Sequence, residues 1–477
     1  MRFSSLRILM AIACLAATQI AYGQPGKAEK ASGPLRVHPQ NPRYFADAAG
    51  RAVYLTGSHT WDTLQDMGET DPPAKFDYDA YLDFLTRYNH NFIRLWRWDL
   101  VSWDTHEEKT PRHFFVAPHP WARTGPGNAL DGKPKFDLTK FDEDFFDRLR
   151  TRVAAAGDRG IYVSVMLHEG WGLWHMPKGW QADPFHPANN INGTGSYLKA
   201  DMPGMQLFTL ASPKAVALQE AYVRKVIDTV NDLDNVLYEI ANESDNNTTD
   251  WQYHMIRFIK KYESTKPKQH PVGMTSRGGA PGNPKDDLDR LLKSPADWIS
   301  PTTFRRDYMK NPPAADGAKI ILSDTDHLWG IGGDASWVWK TFLRGLHPLY
   351  MDAYQHRVLT RFQSMEKQVD SGRRACGHTR VYANKMNLAA MTPRDELASS
   401  KYCLANPGHE YLVFIPGGGS VTVDLSAATG ELKAEWMHPV TGAITVGEPV
   451  KGGAKQTLKA PFTGDAVLYV SKAAAAK

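Results

Sequence analysis

The chain has 477 residues, 42% hydrophobic and 23% charged, the balance of a soluble globular protein with room for one large domain and a smaller one. Its formal charge is +4, of which Arg2 and Arg7 supply two. The rest is too weakly basic to argue for nucleic acid or an anionic membrane as partner, and no internal stretch is apolar over the ~20 residues a membrane span requires.

Residues 1–23 read as an export signal. Arg2 and Arg7 precede the apolar run Ile8 to Ala17, and Ala21-Tyr22-Gly23 offers a cleavage site after Gly23. Cys14 does not make a lipid-attachment motif, because Ala11 stands where that motif has leucine. The expected location is therefore periplasmic or extracellular. Cys376 and Cys403 remain, and in an oxidising compartment they can pair or stay as two separate buried thiols. Residues 24–34 are small, polar and lysine-bearing, as in a linker.

From 35 to 398 one unit repeats: a short β-rich run, a polar loop, an amphipathic helix. The runs are 52–56 (AVYLT), 92–96 (FIRLW), 161–167 (IYVSVML), 236–240 (VLYEI), 271–275 (PVGMT), 297–300 (DWIS), 319–322 (KIIL) and 348–351 (PLYM). Between several of them, FDYDAYLDFLTRYN, FDEDFFDRLRTRVAAAG and TDWQYHMIRFIKKYE space apolar residues three and four apart. SPKAVALQEAYVRKVIDTVN opens on Ser212 and Pro213, a helix cap and first-turn pair. Alternating strands and helices imply parallel strands, and eight units predict an α/β fold, a (β/α)8 TIM barrel. Long loops follow strand two (about 99–140) and strand three (about 168–211), on the face where such barrels place their active sites. From 399 to 472, segments such as EYLVFIPGGGSVTVDLS alternate apolar and polar residues around glycine turns, which predicts a small antiparallel β-sandwich.

Two strand ends carry acids. LYEIANESD closes strand four and sets Asn242-Glu243 at the barrel rim, while ILSDTDHLWG closes strand seven with Asp324, Asp326 and His327. Strands four and seven face one another across a barrel. Carboxylates so placed flank a sugar ring as glycoside hydrolysis needs: one protonates the leaving oxygen, the other attacks or stabilises the cationic centre. Asp324 comes first after the apolar run and is the expected second catalytic carboxylate. Asp326 is two residues on, where it can bind a sugar hydroxyl or orient His327.

Aromatic clusters share that rim. LWRWDLVSW ends strand two and HEGWGLWHMPKGW ends strand three, and indole faces stack on sugar rings. Trp98, Trp171 and Trp174 are the candidates to line the cleft. Arg94 and Arg97 can hold carboxylates ionised or bind a hydroxyl. His59 and Trp61 at strand one, His168 and Glu169 at strand three, and Trp329 after strand seven complete the substrate-binding set. Metal and nucleotide chemistry find no support, so neither metal nor cofactor is expected. HEGWGLWH is not the zinc motif H-E-x-x-H, no phosphate-binding loop occurs, and GIGGD lacks the strand–glycine–helix setting. Nor is there a G-x-S-x-G elbow.

YEIANES and the strand-seven acids resemble the clan A glycoside hydrolases, whose acid/base follows Asn at the end of strand four and whose nucleophile ends strand seven. VYLTGSHTWDTLQD followed by NFIRLWRWD resembles, more closely, the apiosidase-like barrels of secreted bacterial proteins. The tail YCLANPGHEYLVFIPGGG…WMHPVTG resembles the collagen-binding-type β-domain found behind them. The resemblance implies a secreted enzyme acting on plant or microbial polysaccharide or its side chains, with Glu243 as acid/base and Asp324 at the nucleophile position. The clan normally has Glu there, one methylene longer, so the retaining outcome is implied by resemblance alone. Two other readings use the same features: a non-catalytic glycan-binding protein, and a surface adhesin acting through its β-domain. Nothing in the sequence speaks to oligomeric state.

Overall fold

The computed structural model describes residues 30–105, 111–176, 178–194, 205–244, 246–276, 284–302, 307–356 and 364–472. The expected leader and the first part of the linker lie outside them. Eight parallel strands form the centre: β1 Gly57–His59, β2 Phe92–Leu95, β3 Tyr162–Met166, β4 Val236–Glu239, β5 Val272–Thr275, β6 Trp298–Ser300, β7 Ile320–Asp324 and β8 His347–Met351. The hydrogen-bonded order is β1-β8-β7-β6-β5-β4-β3-β2, and β1 lies beside β2, so the barrel is nearly closed. Asn91 stitches that seam. Its amide takes the Thr56 N–H (3.0 Å) and donates to the Tyr54 carbonyl (2.8 Å), while its own N–H reaches the Thr56 carbonyl (3.0 Å).

Helices α1 Tyr78–Arg87, α2 Glu143–Asp158, α3 Pro213–Val230, α4 Thr249–Glu263, α5 Pro284–Lys293, α6 Ala335–Leu343 and α7 Glu366–Lys385 belong to the barrel. Their starts follow local chemistry. Asp77, Asp142, Ser212 and Asp334 each accept a first-turn N–H, and Pro213 stands at the first helical position of α3. Among the described residues no helix is long and apolar enough to cross a membrane.

One expected strand is displaced. Ala52–Val53 pairs with Phe45–Ala46, which pairs with Arg36–Val37, in a separate antiparallel sheet, and the barrel strand begins at Gly57. Gly57–His59 carries no aliphatic residue, so apolar patterning does not mark it. A Cβ on Gly57 would lie 2.2 Å from the Phe92 carbonyl oxygen, so the seam needs glycine there.

Inward side chains recur every second residue along a strand. The lower interior is an apolar plug of Phe92, Tyr162, Leu237, Trp298, Ile320, Leu322 and Leu349, joined by Leu35 and Phe45 from beneath. Two residues further along the same strands come Arg94, Glu239 and Asp324. The polar site therefore rests directly on a packed apolar layer.

The C-terminal region forms antiparallel sheets. The larger one begins with Thr392–Pro393, ahead of the boundary expected at 399, and runs through Cys403–Asn406, Glu410–Ile415, Ala466–Lys472, Glu431–Met437 and Ile444–Val446. One face, with Cys403, Tyr411, Val413 and Leu468, shares a core with Val421 and Val423 of the smaller sheet. The other, with Leu404, Leu412, Phe414 and Val467, packs on Trp339 and Phe342 of α6 and on Cys376 and Tyr382 of α7. Cys376 and Cys403 are thus free, buried thiols on opposite faces of one sheet, and do not pair.

Gly273 in β5 faces the Trp298 indole so closely that a Cβ would fall 1.9 Å from ring atom Cε2. Gly273→Ala should overpack the plug and lower unfolding free energy by roughly 1–3 kcal/mol. In denaturant titration Trp298→Leu should suppress most of that loss; equal losses in both backgrounds would show that the contact does not matter.

Candidate active site

Arg94 leaves β2 inward and is 1% exposed. Its Nε and Nη2 form a two-point pair with Glu239 of β4 at 2.9 and 2.6 Å. Nη2 also donates to the Asn242 side-chain oxygen at 2.6 Å. Nη1 donates to Asp324 at 3.1 Å and to Asp326 at 2.8 Å. One guanidinium thus ties the ends of β2, β4 and β7 together. Planar bidentate geometry is what Arg supplies and Lys does not.

Asp324 is wholly buried and fully engaged. His59 Nε2 of β1 lies 3.0 Å from both of its oxygens, and Oδ1 caps the short turn Thr325–His327 by accepting the Asp326 N–H at 3.0 Å. Burial opposes its charge, yet His59 and Arg94 overcome that and hold its pKa well below the usual carboxylate range. The turn carries Asp326 out of the strand direction, toward Glu243. Carboxyl oxygens of Glu243 and Asp326 and a ring nitrogen of His327 lie within 4.8 Å of one another. Such spacing suits a cation, but Arg94 already places positive charge on Asp326, and both His327 nitrogens are bonded. Its Nδ1 meets Ser300 Oγ at 2.7 Å and its Nε2 the Asn242 oxygen at 3.1 Å. Burial, then Arg94, push His327 down to about 3, so it stays neutral. The Asn242 oxygen accepts from two donors, which fixes that amide's orientation.

Glu243 follows β4 with φ 46°, a left-handed conformation that non-glycine residues adopt at a cost and that clusters at functional sites. Burial first, then the negative charges of Asp326 and Glu169, push its carboxyl well above the usual range, against a lesser pull from Arg94. Burial also raises Asp326, with Arg94 opposing. Both carboxyls are raised, Glu243 the more strongly, and the bond from Arg94 offsets part of the rise at Asp326. Glu169, at the end of β3, has no exposed surface. It meets Asn242 through a backbone bridge, and its Oε2 accepts the Gly172 N–H at 2.9 Å. Burial, less the help of that N–H, pushes it up to about 8.

Other rim candidates are absorbed into the protein. Arg97, expected in the cleft, is fully buried, pairs with Asp99 at 2.6 Å and stacks over Trp121 and Tyr222. Trp98 is likewise fully buried, stacked on Trp103 and edge-on to Trp61 and Trp171, with its indole N–H on the Trp61 carbonyl. His168 is held among Phe208, Tyr222 and Trp251. Trp61 is nearly buried, while Trp171 and Trp329 are half-buried; the Trp174 side chain is outside the described residues. Glu239 was not among the sequence candidates. Its signal was present: an acid inside an apolar strand must have a partner, and FIRLW offers a buried Arg.

A family model described as a domain of unknown function, DUF6298, matches residues 104–282, the stretch carrying β3, β4 and β5. No curated protein matches the chain. Among solved structures, a glycoside hydrolase family 5 protein from Bacteroides vulgatus superposes with a TM-score of 0.59 at 12% identity, over 92% of this chain and 94% of that one. A second, described as a glycoside hydrolase, gives 0.56 at 12% identity, over 92% and 97%. These likenesses show the fold: a TIM barrel followed by antiparallel β-sheets.

Arg94→Met should leave Glu239, Asp324 and Asp326 without their counter-charge and cost roughly 3–5 kcal/mol of stability near neutral pH. Without Arg94 the buried acids take up protons more readily folded than unfolded. The variant's deficit should therefore shrink as pH falls, in urea titrations compared at acidic and neutral pH. A deficit independent of pH would contradict the charge assignment.

Proposed function

We propose that the protein is an exported glycoside hydrolase that cleaves O-glycosidic bonds by a two-carboxylate mechanism. The observation that carries this is the pair Glu243 and Asp326, one following β4 and the other β7, with oxygens within 4.8 Å of each other. The first is kept protonated and the second is bonded to Arg94. Retaining enzymes hold their carboxyls about 5–5.5 Å apart and inverting ones about 6.5–9.5 Å, so the spacing favours retention. The glycoside hydrolase neighbours, with the same architecture, support the class of reaction.

Glu243 protonates the leaving oxygen as the C1–O bond breaks, and the Asp326 carboxylate attacks C1 to form a glycosyl ester. Glu243, now ionised, takes a proton from water, whose oxygen attacks C1 and releases Asp326. Arg94 holds Asp326 ionised and aimed. Asp324 is a positioning residue in this scheme: it fixes Arg94, His59 and the turn bearing Asp326, and has no oxygen left for a substrate. Asn242 and His327 stand beside the reacting ring, where the amide nitrogen can donate to a sugar hydroxyl. The resemblance of VYLTGSHTWDTLQD to apiosidase-like barrels favours a branched plant or microbial polysaccharide, attacked at its side chains.

On a broad glycan panel, Glu243→Ala and Asp326→Ala should each lose at least ~10²-fold in kcat. Equal turnover by wild type and Glu243→Ala on every cleaved glycan would refute the assignment; binding that survives Glu243→Gln with no cleavage by wild type would mark a glycan-binding protein. The alkaline limb of the rate profile should follow loss of the Glu243 proton. Ionised Glu169 makes that loss harder, so the neutral Glu169→Gln should move the limb to lower pH by roughly one unit. An unmoved limb would remove Glu169 from the proton balance.

A further inference from the structure

A groove of about 980 Å³ runs where the C-terminal sheet meets the end of α7. It lies on the side of the barrel away from the catalytic rim. About a third of the way along α7, Arg373 pairs with Asp352 just past β8, at 2.5 Å. Near its end Lys385 reaches the sheet, twelve residues or roughly 18 Å along the helix.

The groove's charges are unevenly spent. Glu435 is occupied by Lys385 (2.8 Å) and by the Tyr382 hydroxyl (2.8 Å). Glu410 accepts from the Tyr469 hydroxyl (2.7 Å) and the Asn387 N–H (3.0 Å). Lys433 and Lys472 line the same groove, exposed, and among the described residues neither ammonium has a carboxylate partner. Lys433 is placed there by strand alternation: Leu432, Ala434 and Trp436 enter the sandwich core, so Lys433 and Glu435 face the groove. The remaining lining sets the hydrogen-bonding side chains of Asn387, Asn406 and Ser471 among apolar surface from Val446, Pro449 and the Tyr469 ring.

We infer that this groove is a second carbohydrate site, separate from the catalytic rim, that takes an acidic polysaccharide, with Lys433 and Lys472 meeting its anionic groups and the amides its hydroxyls. The two committed glutamates leave the surplus charge positive, which selects for anionic over neutral chains. A cleft where two domains meet is a usual place for a ligand. A site remote from the chemistry tethers the enzyme to its polymer and leaves turnover of small substrates untouched.

The test uses the full chain and three soluble polymers at low salt: polygalacturonate, dextran sulfate and neutral galactomannan. Wild type should bind polygalacturonate by calorimetry and weaken as salt is raised. Lys433→Gln/Lys472→Gln, both exposed changes, should lose at least tenfold in affinity with unchanged circular dichroism. Dextran sulfate separates sources of charge: comparable binding means anionic charge suffices, weaker binding means the site reads the carboxylate. Equal affinity for galactomannan, undiminished binding by the double variant, or no binding of either anionic polymer by wild type would overturn the inference. None of these outcomes depends on catalysis, so failure here and failure of the glycosidase reading are distinguishable.

Discussion

Everything at the rim depends on one buried guanidinium. Arg94, on β2, meets Glu239 and Asn242 from the end of β4 and Asp324 and Asp326 from the end of β7, at distances between 2.6 and 3.1 Å. An ion removed from water is expensive, and it persists only where paired charge and complete hydrogen bonding offset the desolvation. Beneath it lies a packed apolar plug, in which Trp298 fills the space over Gly273 beside Leu237 and Leu322. A short lysine reaching to one carboxylate would not join β2, β4 and β7 in the same way.

The same constraint separates two acids that would otherwise be alike. Glu243 and Asp326 both lie in low-dielectric surroundings with oxygens less than 5 Å apart, a distance at which both cannot ionise cheaply. Arg94 donates to Asp326 at 2.8 Å, and burial with the neighbouring negative charges raises Glu243 the more strongly. Asp324 sits deeper, its charge spent on Arg94, His59 and a turn. Glu169 adds a further buried carboxyl close by, pushed up to about 8 chiefly by burial. A site holding several acids against one arginine must store protons, and proton storage near neutral pH is what acid–base chemistry requires.

Much of this was legible in the sequence, for reasons that also explain the misses. Buried parallel strands announce themselves as apolar runs, which is why seven of the eight barrel strands fall where FIRLW, VLYEI, KIIL and their fellows do. Gly57–His59 escaped because a seam strand of Gly, Ser and His has no apolar signal. The pairing of IANES with the strand-seven acids followed from strand count alone. Asp326, two residues on, would share the face of Asp324 only if the strand ran that far, whereas the turn Thr325–His327 ends the extended backbone after Asp324. Aromatic residues on loops carry no periodicity, so Trp98 read as a cleft residue although it packs among Trp61, Trp103 and Trp171.

The account stands on Asp326 as the group that attacks the sugar. The most direct measurement is to trap the intermediate with an activated 2-deoxy-2-fluoro glycoside of whichever sugar the enzyme releases, then map the labelled peptide by mass spectrometry. The account predicts one glycosyl unit esterified to Asp326, with the label absent from Asp326→Ala. A label on Asp324, or turnover that inverts the anomeric centre with no ester formed, would contradict it.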